Sequence, residues 1–205
     1  MPDMKKYDKI LNALDELLGK KKLQTISVSE IAQAAGIGKG SIYYYFPSKD
    51  AIFEALIKRK YEAPIETAKD LAKETQISPF TRMAMIFAAC RSSSATFLSQ
   101  RNTSEQETLQ ESTWLHQKYL KHLIFELKPV LTAIIQQGIE NEEIHFEYPS
   151  ALAEIVLIIL SVKLDNMLVP STPEEIEETL QGLVSLLEKG TENPSGSLKF
   201  LTLTL

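Results

Sequence analysis

Apolar residues recur three and four positions apart along almost the whole chain, a spacing that belongs to helices. Tyr7, Ile10, Leu11, Leu14, Leu17 and Leu18 form the first such stripe, which stops near Gly19. Ser27 and Glu30 make an S-x-x-E capping box, with Ile26 and Ile31 at the staple positions around it. A second helix therefore starts there and ends at Gly36. Gly36-Ile37-Gly38 leaves room only for a sharp turn between two helices. A short helix follows over about residues 38–45, and Pro47 stops it. Ser48 caps the next helix, whose apolar positions run from Phe53 to Leu71, with Pro64 set to kink or divide it.

The second half continues in the same way. Helices are expected near residues 80–99, 105–141, 149–168 and 173–189, the longest breaking at a point such as Pro129. Thr172-Pro173-Glu174-Glu175 supplies a cap, a first-turn proline and a second capping box, and Gly190 ends that helix. Residues 191–197 are turn-rich, and the closing LKFLTLTL alternates like a strand. The expected fold class is all-α. A three-helix domain with a helix-turn-helix spans residues 1–47, and a helical regulatory and dimerisation domain spans 48–190, its first helix linking both. A tail covers 191–205.

Composition narrows the function. With 205 residues, 44% hydrophobic and 24% charged, the chain can bury a real core and is not a disordered segment. The single cysteine, Cys90, excludes an internal disulfide framework. His116, His122 and His145 lack the spacing of metal ligands, so no metal is expected. Residues 36–41 are glycine-rich but follow no strand, and the phosphate-cradling G-x-x-x-x-G-K-[ST] loop is absent. No nucleophile–base or paired-carboxylate pattern is legible, so neither an enzyme nor a cofactor is expected. The most apolar stretch, residues 151–164, is too short to span a bilayer and contains Glu154. The opening MPDMKKYDK has no apolar core of a signal peptide, and a cytoplasmic protein without a membrane partner is expected.

Charge is uneven. Residues 1–60 hold 11 Lys and Arg against 7 Asp and Glu, a net of +4, whereas the remaining 145 hold 11 against 20, a net of −9. A basic front end on an acidic body suits a protein that turns one end toward a polyanion. The run SVSEIAQAAGIGKGSIYYYFPSK, residues 27–49, fits this. Two short helices about a glycine turn describe a helix-turn-helix, whose second helix can enter a DNA major groove. Ile31, Ala32, Ala35, Ile42 and Phe46 make the buried side, which leaves Lys39, Ser41, Tyr43, Tyr44 and Tyr45 to face outward or sideways. Their ammonium and hydroxyl groups suit phosphates and base edges. Lys49 stands in the first turn of a helix, where the dipole disfavours it unless helix N–H groups and ammonium grip one phosphate.

On these residues the chain resembles the DNA-binding domain of the tetracycline-repressor (TetR/AcrR) family of transcriptional regulators. The resemblance covers residues 7–60 and is carried by ISVSEIAQAAGIGKGSIYYYFPSKDAIFEAL. It implies that Ser27 and Ser29 stand at the start of the second helix, where phosphate is touched. It places Lys39, Gly40, Ser41, Tyr43 and Tyr44 on the recognition helix, with Lys39 the best candidate for a guanine contact. Tyr45 and Lys49 match backbone-contacting positions just after it. Gly38 departs from a common Ser or Thr cap, and Lys22 from a common glycine.

For the body, the resemblance implies an all-helical domain that binds a small molecule. Phe80, Met83, Phe87, Cys90, Phe97, Trp114, Tyr119 and Phe125 read as core one by one. Together they can bound a cavity, with Phe87, Trp114 and Tyr119 lining it and Arg91 or Gln117 as its polar groups. The expected effector is an unidentified apolar or amphipathic small molecule. Residues 151–164 are apolar nearly all round and need cover on every side. That places Ile155 and Ile159, with the stripe Ile176, Leu180, Leu183, Val184 and Leu187, in a four-helix dimer interface. The functional expectation is a homodimeric, ligand-responsive regulator, a repressor, on a palindromic double-stranded operator. The alternative is a DNA-binding protein whose body takes a protein partner instead.

Overall fold

The structure, a computed structural model, describes the backbone of residues 4–21, 23–99, 109–165 and 169–202; side chains at 23, 91–99, 109–119, 164 and 165 are outside the description. Among the described residues the helices are α1 (Met4–Leu18), α2 (Val28–Ala35), α3 (Lys39–Tyr45), α4 (Lys49–Leu71), α5 (Pro79–Ser99), α6 (Leu109–Glu140), α7 (Pro149–Asp165) and α8 (Pro173–Gly190). Short 3₁₀ turns occupy Leu23–Thr25 and Lys199–Leu201, and no strand is present among these residues.

The local signals act as written. Both capping boxes close: Ser27 with Glu30, and Thr172 with Glu175. The Ser48 hydroxyl accepts from the Ala51 N–H at 3.1 Å and starts α4. Gly36 takes φ 66°, a left-handed conformation that costs glycine little, and its N–H returns to the carbonyls of Ala32 and Gln33.

The prolines disturb less than their positions suggest. Helix α4 continues through Pro64 and so is not divided there, and α6 continues through Pro129, where a break was expected. Proline removes one N–H and so orphans the carbonyl four residues earlier. For Pro129 that residue is Phe125, whose side chain is 75% exposed, on a side where water can serve the carbonyl. The same exposure removes Phe125 from the core.

The tail also departs from expectation. Leu198 to Leu201 turn as 3₁₀ helix rather than extending as a strand. A strand needs an edge to pair with, and the described fold offers none. In a 3₁₀ turn residues i and i+3 eclipse, so Leu198 and Leu201 face one way, and both are buried.

The chain divides into two compact units. The first comprises Met1–Ala63 with Ser93–Tyr119, the second Pro64–Ser92 with Leu120–Leu205. The division falls inside α4, beside Pro64, and the tail belongs to the second unit. In the first unit, α1 buries Ile10, Leu11, Leu14 and Leu18. Ile31, Ile42, Phe46, Phe53 and Leu56 are buried there too. Each such side chain contributes about 1.5–3 kcal/mol on leaving water. Asp15 on α1 pairs with Lys60 on α4 at 2.6 Å.

In the second unit, Leu127, Leu131, Ile134 and Ile135 of α6 are buried, as are Leu152, Ala153 and Leu157 of α7 and Leu180 of α8. Gly138 lets α6 end tightly: a Cβ there would lie 2.7 Å from Ile144 Cδ1.

Candidate functional site

The recognition surface is set by what α3 hides. Ile42 is fully buried, and Phe46, one turn on, is buried with its ring 4.9 Å from that of Tyr7 on α1. With those two inside, the opposite face is forced outward. Lys39 and Gly40 are exposed, Tyr43 is 51% and Tyr44 70% exposed, and Ser41 and Tyr45 are half-buried. The Tyr44 and Tyr45 rings meet edge to face at 5.2 Å. Large aromatic side chains held in water on a short helix are poor folding choices and good contact groups. The Lys39 ammonium makes no hydrogen bond or ion pair to another described residue, so it can meet an acceptor. Gly38 caps α3 with no side-chain bond, as its lack of a hydroxyl requires.

Helix α2 presents Ser27 and Ser29, both exposed. The Ser27 hydroxyl accepts from the Glu30 N–H at 3.2 Å, and the Glu30 carboxylate accepts from the Ser27 N–H at 2.8 Å. Lys21 reaches the other Glu30 oxygen at 2.7 Å. That ammonium first, then the Ser27 N–H and hydroxyl, hold the Glu30 carboxyl down to about 2. Lys22, the position that departs from the family pattern, lies outside the described residues.

Lys49 behaves differently from Lys39. Its ammonium donates to the carbonyls of Ile26 at 3.0 Å and Gln24 at 3.4 Å, and it is half-buried. The unfavourable place at a helix start is thus matched by a fastening role: Lys49 ties the start of α4 to the segment that leads into α2. Sequence reasoning missed this, because the carbonyls lie 23 and 25 residues away in the chain.

The second unit holds an apolar cavity of about 40 Å³. Phe80, Met83 and Phe87 of α5, Leu131 and Ile135 of α6, Leu152 and Val156 of α7, and Leu187 of α8 bound it. Of the residues expected to line a cavity, Phe87 is on this wall. The side chains of Arg91, Trp114, Gln117 and Tyr119 lie outside the described residues. Ile144, Ala153, Thr191, Asn193, Leu198, Phe200 and Leu201 complete the wall. Two polar residues of this unit escaped the sequence reading. Arg82 is 1% exposed and donates to Gln137 Oε1 at 2.6 Å and to the Ala72 carbonyl at 3.3 Å. Burial pushes its guanidinium below the ordinary arginine value. Glu188 is buried in the last turns of α8, and its carboxylate accepts from the N–H groups of Gly196 and Leu198. Burial likewise raises the Cys90 thiol to about 11, which leaves it unreactive at neutral pH.

The residues expected at the dimer seam separate into two sets. Leu180 is fully buried within the subunit, and Ile176 and Leu183 nearly so; they have almost no surface to give a partner. Ile159, Val184 and Leu187 are half-buried. Ile155 is exposed, and outside the expected set Ile158 of α7 and Leu186 of α8 are exposed as well. Gly182 is exposed with open space beside it.

Residues 10–56 match the family model described as "Bacterial regulatory proteins, tetR family". The chain is 28% identical over 139 residues to a fatty acid metabolism regulator protein of Bacillus subtilis, covering 68% of this chain and 71% of that one. For other curated regulators it spans about a quarter of their length. Among solved structures, SmeT, the repressor of a Stenotrophomonas maltophilia multidrug efflux pump, superposes with a TM-score of 0.63 at 12% identity, covering 93% of this chain and 92% of that one. The transcriptional regulator FadR from Bacillus subtilis, solved with stearoyl-CoA, superposes with a TM-score of 0.59 at 20% identity, covering 97% and 99%. At these identities the superpositions establish a shared fold. No helix among the described residues is long and apolar enough to cross a membrane.

Proposed function

We propose that this chain, which by its N-terminal domain belongs to the tetR family of bacterial regulatory proteins, is a homodimeric repressor released from its operator by an apolar or amphipathic small molecule. The observation that carries the DNA half is the outer face of α3: Lys39, Tyr43 and Tyr44 held in solvent by the buried Ile42 and Phe46. Lys39 reads a base edge, with guanine O6 and N7 as the best acceptors for an ammonium. Ser27, Ser29, Ser41 and Tyr45 serve phosphates, beside Gly40, which lets the DNA backbone approach. Lys49, at the start of α4, contributes a phosphate contact beside its two carbonyl bonds.

Two subunits pair through α7 and α8, by the exposed Ile155, Ile158 and Leu186 around the open Gly182. Ile159, Val184 and Leu187 lie at the edge of that surface. The pairing sets the spacing of two half-sites. The apolar cavity beside Phe87 favours a small molecule over a protein partner for the body. A fatty acyl chain suits such a wall, in keeping with the fatty acid metabolism regulator the chain is similar to. Helix α4, which contributes residues to both units, carries the coupling. An effector acts only by binding one conformer better than the other.

Selection of binding sites from random duplex DNA tests the reading. The expected product is a two-fold symmetric motif with half-sites about 10 base pairs apart, or a multiple of that. An asymmetric single site, or no enrichment, argues against it. For the pairing surface, Ile155→Glu with Leu186→Glu should yield monomers in analytical ultracentrifugation; a double variant that stays dimeric moves the interface elsewhere.

A further inference from the structure

The cavity in the body is far smaller than the roughly 300–1,000 Å³ of ordinary small-molecule pockets, at about 40 Å³. Part of its wall is the segment after α8 that holds Leu198, Phe200 and Leu201. Leu198 and Leu201 are buried against it, and the Phe200 ring lies 6.3 Å from that of Phe87. We propose that the segment 198–202 is a resident occupant of the effector site, and that an apolar effector enters by displacing it. The inference rests on reading the cavity as an effector site, and it adds what fills that site in the free protein.

The way the segment is held supports this. Four backbone bonds within the tail shape the turn: Ser197 to Pro194, Lys199 to Gly196, Leu201 to Leu198, Thr202 to Lys199. None of these pairs the segment with a neighbouring element. The apolar contacts of three side chains and one carboxylate fasten it to the body. Glu188 Oε1 accepts from the Gly196 N–H at 2.8 Å and the Leu198 N–H at 3.0 Å. An element so held opens locally at low cost compared with a packed helix. An apolar ligand that takes over the wall replaces the contacts of Leu198, Phe200 and Leu201 in kind. The cavity's exposed lining is apolar, so the entering group is hydrocarbon-like and needs no hydrogen-bond partner there.

The consequence reaches α8. When the tail leaves, Glu188 loses two donors in the last turns of the same helix that carries Leu186 and Gly182 at the proposed pairing surface. Leu187, between them, lines the cavity. Occupancy of the site is therefore registered on a helix of the dimer seam.

The test uses N-phenyl-1-naphthylamine, an uncharged apolar fluorophore, with the full chain, a chain ending at Ser197, and Glu188→Gln. If the tail occupies the site, binding carries the cost of moving it, and the shortened chain should bind about tenfold more tightly. Glu188→Gln, a weaker acceptor, should shift affinity the same way by less. In the full chain, hydrogen exchange at the Gly196 and Leu198 amides should speed up as the probe saturates. Equal affinities for full and shortened chains overturn the tail's role and leave the effector site standing. Binding by neither chain overturns both. Should the shortened chain fail to fold, the exchange measurement on the full chain decides: protection at Gly196 and Leu198 unchanged at saturation overturns the proposal.

Discussion

Helix α3 buries Ile42 and holds Lys39, Tyr43 and Tyr44 in solvent, whereas α8 buries Ile176, Leu180 and Leu183 and exposes a mixed face of glutamates, Gln181, Gly182, Ser185, Leu186 and Lys189. The two helices place their chemistry on opposite sides. In the front end, the residues proposed to work are outside the core, so folding and function are separable by substitution. In the body, the groups proposed to sense a ligand are wholly or partly buried, and Phe87, Leu187 and Leu198 pack within the same unit that they equip. A mutation series should therefore split cleanly in the first unit and fail to split in the second.

The largest effect should come from crossing that division in the front end. Ile42→Ala deletes a fully buried side chain and should cost about 2–5 kcal/mol, read by urea unfolding. DNA affinity should fall with it, because α3 loses its seat. A variant of native stability would show that Ile42 does not anchor the helix. In the body, Arg82→Ala should cost about 1–3 kcal/mol by the same measurement, since Gln137 Oε1 loses a buried donor. No measurable change would mean that the buried guanidinium contributes nothing net.

Lys49 sharpens the comparison, because it faces both ways. Lys49→Ala should cost about 1 kcal/mol, the two carbonyl bonds being discounted for partial exposure. It should also lower the salt slope of DNA binding by about one unit if the ammonium meets a phosphate. Lost stability with an unchanged slope would leave Lys49 as a fastening alone.

Smallest is the effect of Glu30. Its carboxyl is held down to about 2 from 4.5 by the Lys21 ammonium and the Ser27 cap. Its contribution is full above 4.5 and is lost as pH falls through about 2. Acid melts of wild type should drop slightly more across that window than those of Glu30→Gln; parallel curves would remove the link.

What was legible in the sequence follows a physical line. Capping boxes at Ser27 and Thr172, the left-handed Gly36 and the first-turn Pro173 act within four residues, and each appears as written. The buried side of the helix-turn-helix was legible for the same reason, Ile31, Ala32, Ile42 and Phe46 being fixed by spacing, although Ala35 at the end of α2 is only half-buried. Features set by distant partners were not. Pro129 reads as a break until the exposed side of α6 is known. The tail's alternation reads as a strand until no edge is found for it and a 3₁₀ turn lets two leucines share one cavity. Lys49, Arg82 and Glu188 take their meaning from carbonyls and amides brought together by folding, which no local pattern announces.

Lys39 offers the most direct test of the claim that the front end reads DNA through side chains the fold does not need. Lys39→Ala should unfold within about 0.5 kcal/mol of wild type. Sites selected from random DNA by the two proteins should then differ at one position in each half-site, with about 1–3 kcal/mol of discrimination lost there. Identical selected motifs at equal stability would contradict the assignment of base reading to Lys39.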